Sequence, residues 1–452
     1  MTNWLPRLDD WRGPRYLAIA DALARDVRSG RLRPGERLPP QRLLADLLGV
    51  HLSTVTRAYR EAARRGLISG ATRRGTLVLD KLHAAALFAP QTDGAAGAID
   101  LRTNVPAAFP FDAGFERLVA DVLTDDGLSS LIRYRSDDEW RVLHAEAAEW
   151  LTMSGLDADA FSLLLCAGAQ HALDLALTCC GERIIAAEDW TWPGLKTVAA
   201  ARGLQLVPLQ LDGQGITPAA LEQAARAGVR VAVLSPTLQN PTGASMGPAR
   251  RAAIADIARR YRMWLVEEDV YGLLPAGRMP PLAALLPERV LYLTSLSKTV
   301  APGLRLGFLA LPHSLAAEAG SLLHLSAWYL SPLCVKIACR MMASGLASAR
   351  LDWQRRELVA RNRVLDTALG LHAGVDNACP HRWLPLPASL SAARALASLR
   401  ADGFILLDGT ELAVDPYAGH GGALRLALGA APGRAELARV GAVLRTLLGT
   451  AD

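Results

Sequence analysis

Lys298 stands in Thr294-Ser295-Leu296-Ser297-Lys298-Thr299, between hydroxyl side chains in an otherwise apolar stretch. An amine in such a place can condense with an aldehyde to an imine, and partial desolvation favours its reactive neutral form. Twenty-nine residues earlier comes Asp269, in Glu267-Glu268-Asp269-Val270-Tyr271, and another twenty-nine earlier Asn240, in Gln239-Asn240-Pro241-Thr242-Gly243. A carboxylate aimed at the nitrogen of a pyridine-type ring keeps it protonated, so that the ring accepts electrons from a bond broken beside it. Ser295, Ser297 and Arg305 offer donors for a phosphate. The small residues of Gly168-Ala169-Gln170 would let backbone N–H groups approach one at a helix start. Trp192 offers a flat face for stacking. A solvated lysine, a turn asparagine or a packing tryptophan explains any one of these residues alone. Three polar groups at equal spacing, each following an apolar run, point instead to one shared site.

Positioning them requires a particular scaffold. Apolar runs at 161–166, 183–187, 204–209, 229–235, 264–268, 290–294 and 306–311 alternate with alanine-rich helical segments. That alternation predicts a mostly parallel sheet clad in helices, with ligands bound beyond the C-terminal ends of the strands. The polar clusters fall at those ends.

The first eighty residues have a different character. They hold fifteen arginines, no lysine and eight acids, a net of +7, so the chain's overall +5 leaves −2 for the remainder. A basic excess confined to one end suits contact with a polyanion. Apolar spacing predicts a helix over 16–29, a short helix over 41–48 closed by Gly49, and a third helix capped by Ser53 and Thr54. Two short helices around a glycine turn make a helix-turn-helix, whose second helix reads the major groove from its first turn. Segments 67–69 and 75–78 read as a β-hairpin wing with Arg73 and Arg74 near its tip. Arg60, Arg64 and Arg65 are better suited to phosphate contact than to base reading. Residues 80–98, rich in alanine and glycine without apolar period, read as a flexible linker between a head at 10–79 and a body at 99–452.

The head sequence GRLRPGERLPPQRLLADLLGVHLSTVTRAYREAARRGLI…RRGTLV resembles the winged head of GntR-family bacterial regulators. The resemblance implies that Arg42, Ser53 and Thr54 lie at DNA, with Arg73 or Arg74 at a neighbouring groove or phosphate. Leu52 stands where relatives often carry arginine, which leaves His51 and Arg57 to compensate. The body resembles fold-type-I aminotransferases throughout. This implies pyridoxal phosphate held as an imine on Lys298, Asp269 on its ring nitrogen, and Asn240 and Tyr271 on its phenolate oxygen. It also implies Trp192 on the ring face and a phosphate bound by Gly168, Ala169, Gln170, Ser295, Ser297 and Arg305. Arg425, in Leu424-Arg425-Leu426, matches the arginine that clamps a substrate carboxylate. Tyr134 matches a residue that reaches the neighbouring subunit's phosphate. Together the halves are similar to the MocR subfamily, which implies a homodimer, head-to-tail with swapped heads, bound to double-stranded operator DNA and answering an amino compound through aldimine chemistry. Two alternatives stay open: a working aminotransferase that carries a DNA-binding head, and a regulator whose signal is the coenzyme itself.

The opening residues lack the apolar run of a signal peptide, and no stretch is long enough to span a bilayer. Six cysteines without a CxxC pair or metal-ligand spacing to histidine predict a reduced, cytoplasmic protein with no metal site.

Overall fold

The computed structural model describes the chain apart from residues 1–3, 7, 9–12, 29–30, 34, 65–66, 72–74, 79–96, 111, 126, 135–136, 278, 372–376, 416–420 and 450–452. The expected linker therefore lies almost wholly outside the described residues, as do Arg73 and Arg74 at the wing tip.

Three helices, α1 (Arg15–Arg28), α2 (Gln41–Leu48) and α3 (Leu52–Arg64), precede an antiparallel hairpin of β1 (Ile68–Ala71) and β2 (Gly75–Val78). Their apolar faces converge on Ile19, Leu23, Leu44, Val55, Tyr59, Ile68 and Val78, all 2 % exposed or less. The buried Tyr59 hydroxyl donates to the Pro39 carbonyl at 2.8 Å, so its polar end is satisfied inside the core. Gly49 closes α2 at φ 60°, a left-handed conformation that glycine adopts without strain. Trp4, upstream of the expected boundary, joins the same core and donates from its indole to Asp26 at 2.8 Å. One expectation shifts. Helix α3 begins at Leu52, so Ser53 and Thr54 lie inside it and do not precede it. His51 occupies the capping position, its Nδ1 accepting from the Ser53 N–H at 3.3 Å.

The body is built on seven strands: β3 (Ser162–Cys166), β4 (Ile184–Glu188), β5 (Gln205–Leu209), β6 (Val231–Leu234), β7 (Trp264–Glu268), β8 (Val290–Ser295) and β9 (Gly307–Leu311). Their spatial order is β3-β9-β8-β7-β6-β4-β5, with β9 antiparallel to both neighbours and the other pairings parallel. Each central strand is apolar on both sides because helices cover both faces. On one face lie α4 (Ala169–Cys180), α5 (Pro193–Arg202) and Ala319; on the other lies α6 (Pro248–Arg260). A smaller antiparallel sheet follows, with β12 (Ala423–Ala427) between β10 (His381–Pro385) and β11 (Leu407–Asp408). Among the described residues no helix is long and apolar enough to cross a membrane.

Because β9 runs backwards, its first residue sits at the edge where the parallel strands end. Gly307 faces Ser295 on one side and Cys166 on the other. A Cβ on Gly307 would stand 2.5 Å from the backbone of Gly168, so only glycine lets the two chain segments meet. This contact brings Arg305, Ser295 and Gly168 to one corner.

Candidate functional site

The strand ends deliver the expected residues to a single place. Asp269 directly follows β7 and is buried; it accepts a hydrogen bond from the Tyr292 hydroxyl at 2.8 Å, while its own backbone carbonyl accepts from Thr294 Oγ1 at 2.9 Å. Tyr292 on β8 thus fixes the carboxylate's orientation from the adjacent strand. Asn240 is buried in the loop after β6 and presents Oδ1 to Arg425 Nη1 at 2.9 Å. Arg425, in the middle of β12, is 4 % exposed. Its Nη2 donates to the Arg102 carbonyl, and its Nε is buried with no partner among the described residues. Burial pushes this guanidinium down to about 10, as expected of a cation whose hydrogen-bond partners are neutral oxygens. A carboxylate would relieve that cost.

Lys298 ends the short turn after β8, and its Nζ donates to the Asn104 carbonyl at 2.6 Å. Burial pushes its ammonium down to about 8; the Arg425 and Arg305 cations act in the same direction and the Glu268 carboxylate opposes them. The neutral, nucleophilic amine therefore becomes the major form above pH 8 rather than above the ordinary lysine value. Coenzyme-free protein mixed with pyridoxal phosphate should accordingly gain its visible absorption faster as pH rises, with a midpoint near 8. A midpoint near 10 would show a lysine in ordinary solvent.

The corner made by Gly168, Ser295, Ser297 and Arg305 has the form of an anion cradle. Gly168 precedes α4 at φ 86°, and a Cβ there would come within 2.7 Å of Arg305 Nη2. Ser295 Oγ accepts from the Ser297 N–H at 3.4 Å, and Ser297 Oγ is buried with no partner among the described residues. A helix N-terminus, a guanidinium and an unsatisfied hydroxyl converging there suit a phosphate. Trp192 caps α5. A Cβ on Gly194 would overlap its indole at 1.9 Å, so the ring folds back over the start of the helix only because residue 194 is glycine. Gln170 turns its side-chain amide to the Gly194 carbonyl at 3.0 Å; its side chain thus braces the Trp192 loop, and only the helix-start backbone of 168–170 is left to meet an anion. Taken together, the chemistry of the residues present fits pyridoxal phosphate: Lys298 could take its aldehyde, Asp269 its ring nitrogen, Asn240 and Tyr271 its phenolate oxygen, Trp192 its face, and the corner its phosphate.

Tyr134 is not part of this convergence within one chain. It is 72 % exposed, with Trp328 and Tyr329 as ring neighbours at 6.3 and 5.3 Å. Two residues at the centre of the site escaped sequence reading. Asn104 and His381 are both buried, and the Asn104 side-chain amide touches Tyr271 Oη at 2.9 Å and His381 Nδ1 at 3.0 Å. Thr103-Asn104-Val105-Pro106 carried a weak signal, a polar pair in an apolar neighbourhood; His381 carried none.

In the head, Arg42, His51, Ser53 and Arg57 are exposed, and Thr54 is half-buried. The first turn of α3 therefore presents His51 and Ser53 outward, with Arg42 exposed at the start of α2. Arg57 stacks its guanidinium over the Tyr16 ring at 4.1 Å, an arrangement that holds it against α1. Arg60, on the exposed side of α3, lies 3.7 Å from Asp415 of the body.

Comparison with known proteins agrees with both halves. Residues 99–444 match the family described as aminotransferase class I and II, and residues 15–78 match bacterial regulatory proteins of the gntR family. The uncharacterized HTH-type transcriptional regulator YdeF of Bacillus subtilis is 29 % identical over 86 % of this chain and 85 % of its own length. The vitamin B6 salvage pathway transcriptional repressor PtsJ of Salmonella typhimurium is 28 % identical over 88 % of this chain and 90 % of its own. Among solved structures, the kynurenine aminotransferase of Pyrococcus horikoshii superposes with a TM-score of 0.70 at 20 % identity, covering 78 % of this chain and 91 % of that one.

Proposed function

Because the chain belongs to the aminotransferase class I and II family and carries a gntR-type head in front of it, the arrangement of MocR-type regulators, we propose that it is a transcription regulator whose pyridoxal-phosphate body governs how its winged head holds DNA. One observation carries this reading: a convergent amine, carboxylate and anion-cradle site lies in the same chain as an arginine-rich helix-turn-helix. Bound pyridoxal phosphate supplies an aldehyde for which Lys298 and an incoming primary amine compete. The chain's residues then decide which amine succeeds. Arg425 receives a carboxylate, Asn240 holds Arg425 in place, and burial excludes water from both. The effector is therefore an amino compound bearing a carboxylate. Occupancy changes DNA binding to the extent that the effector prefers one pose of the body over another.

The protein acts as a homodimer. Ile132, Tyr134, Leu325 and Trp328 are 60–82 % exposed, and Tyr134 and Trp328 belong to one aromatic cluster with Tyr329. Exposed apolar surface of this kind marks an interface, and closing it over a second copy would carry Tyr134 toward that copy's phosphate corner. Heads exchanged between the two copies would sit on operator DNA through Arg42, His51, Ser53, Thr54 and Arg57, with Arg73 and Arg74 on the wing. The Arg60–Asp415 pair, half-exposed on the arginine side, contributes at most about 1 kcal/mol, so phosphates readily compete for Arg60.

The test is an amine screen of the purified protein that follows visible absorption together with footprinting on its own promoter. Amines that change the spectrum should also change the footprint; spectral change with an unaltered footprint removes the regulatory reading. A second reading, that the coenzyme itself is the signal, draws on the likeness to a vitamin B6 salvage repressor. It expects the footprint to respond to pyridoxal phosphate without any amine. Sustained turnover with an added 2-oxo acid would instead favour an aminotransferase with a DNA-binding head.

A further inference from the structure

The Gln239 carbonyl lies 3.0 Å from His381 Nε2. A carbonyl only accepts, so Nε2 must carry a proton. His381 is 1 % exposed, and burial, with Arg425 and Lys298 nearby, pushes it down to about 3. The ring is therefore neutral, its single proton is on Nε2, and Nδ1 holds a lone pair. The Asn104 side chain lies 3.0 Å from that lone pair, which assigns its amide: the Nδ2 end faces His381. Nδ2 has a second proton, and this goes to Tyr271 Oη at 2.9 Å. Asn104 Oδ1, turned away, is left buried with no partner among the described residues. An unsatisfied buried acceptor is costly, and it is tolerated here because the opposite orientation would set an amide N–H₂ elsewhere and lose both contacts.

The consequence falls on Tyr271. Its oxygen is already receiving a hydrogen bond, so its own proton must be donated elsewhere. We propose that Asn104 and His381 are positioning residues whose fixed relay, from the Gln239 carbonyl through the imidazole to the amide, directs the Tyr271 hydroxyl proton toward the coenzyme's phenolate oxygen. The inference rests on the reading that Tyr271 meets that oxygen. A proton donated to a phenolate stabilises its negative charge, so the adjoining imine nitrogen gives up its proton at lower pH. The relay thus sets the protonation state in which the site meets an incoming amine. The Lys298 Nζ contact to the Asn104 backbone carbonyl is independent of the side chain and survives its replacement.

The experiment is a pH titration of the visible absorption of the pyridoxal-phosphate-loaded full-length protein. In Asn104→Asp the carboxylate accepts from Tyr271 and draws its proton away. In His381→Leu the amide loses its acceptor and can rotate to present Oδ1 to Tyr271. Both should raise the titration midpoint by about one pH unit, a tenfold change in the proton equilibrium. His381→Asn, which can keep an acceptor near the Nδ1 position, should stay close to wild type and guards against a leucine variant that fails to fold. Tyr271→Phe separates the two levels. If it leaves the midpoint unchanged, the placement of Tyr271 at the coenzyme is wrong. If it raises the midpoint while Asn104→Asp and His381→Leu do not, the relay is wrong and the placement stands.

Discussion

Lys298→Ala is expected to yield a protein that leaves no adduct on residue 298 after borohydride treatment and whose DNA footprint no longer changes with any amine. Among the described residues this lysine supplies the amine at the meeting point of Asp269, Asn240 and the phosphate corner, and burial, by pushing its ammonium down to about 8, makes the nucleophilic neutral form more accessible than in an ordinary lysine. Without it the coenzyme is retained only by noncovalent contacts and should be lost on dialysis, because the covalent link is what converts weak phosphate binding into durable occupancy. Lys298→Arg is the companion variant: it keeps a cation beside Glu268 but cannot form the link, and it should behave as the alanine protein does. A footprint that still follows amine concentration in either variant would place the sensing elsewhere. DNA affinity without effector should be unchanged in both, since the head's core is separate from the body's.

Arg425→Leu should raise the effector's dissociation constant on the order of a hundredfold or more, because removing one member of a buried charged pair costs about 2–5 kcal/mol. The effect should be selective. Amines that lack a carboxylate gain nothing from the guanidinium, and their spectral response should be nearly the same in the variant. Arg425→Lys should recover only part of the loss, since an ammonium cannot offer the paired donors of a guanidinium. Arg425 is held from two sides, by Asn240 Oδ1 and by the Arg102 carbonyl, so its orientation is set before a ligand arrives. Equal weakening for amines with and without a carboxylate would remove it from recognition.

Much of this was legible in the chain because strand periodicity and local motifs are short-range properties. The apolar runs expected at 264–268 and 306–311 became β7 and β9, and the runs at 161–166 and 183–187 became β3 and β4 within a residue or two. Lys298, Asp269 and Asn240 were recognisable because each sits where an apolar run stops. The α3 cap moved from Ser53 back two positions to His51 because a histidine ring took the capping task, and histidine carries little capping signal compared with serine or threonine. Arg57, expected to help at DNA, also stacks over Tyr16 while staying exposed, a contact between helices that linear spacing does not reveal.

Local composition and spacing alone determined that this chain has a basic helical head, an alternating strand–helix body, and a lysine able to form an imine in company with a carboxylate suited to a ring nitrogen. Only the folded structure decided that Gly307 lets β9 close against Gly168, that Gln170 serves the Trp192 loop, and that Asn104 and His381 stand beside Tyr271. The physical reason is range. Helix and strand preferences act over a few neighbours, whereas Asn104 and His381 are 277 positions apart and meet only because packing of the sheet and the C-terminal domain leaves them one buried space in which to satisfy each other.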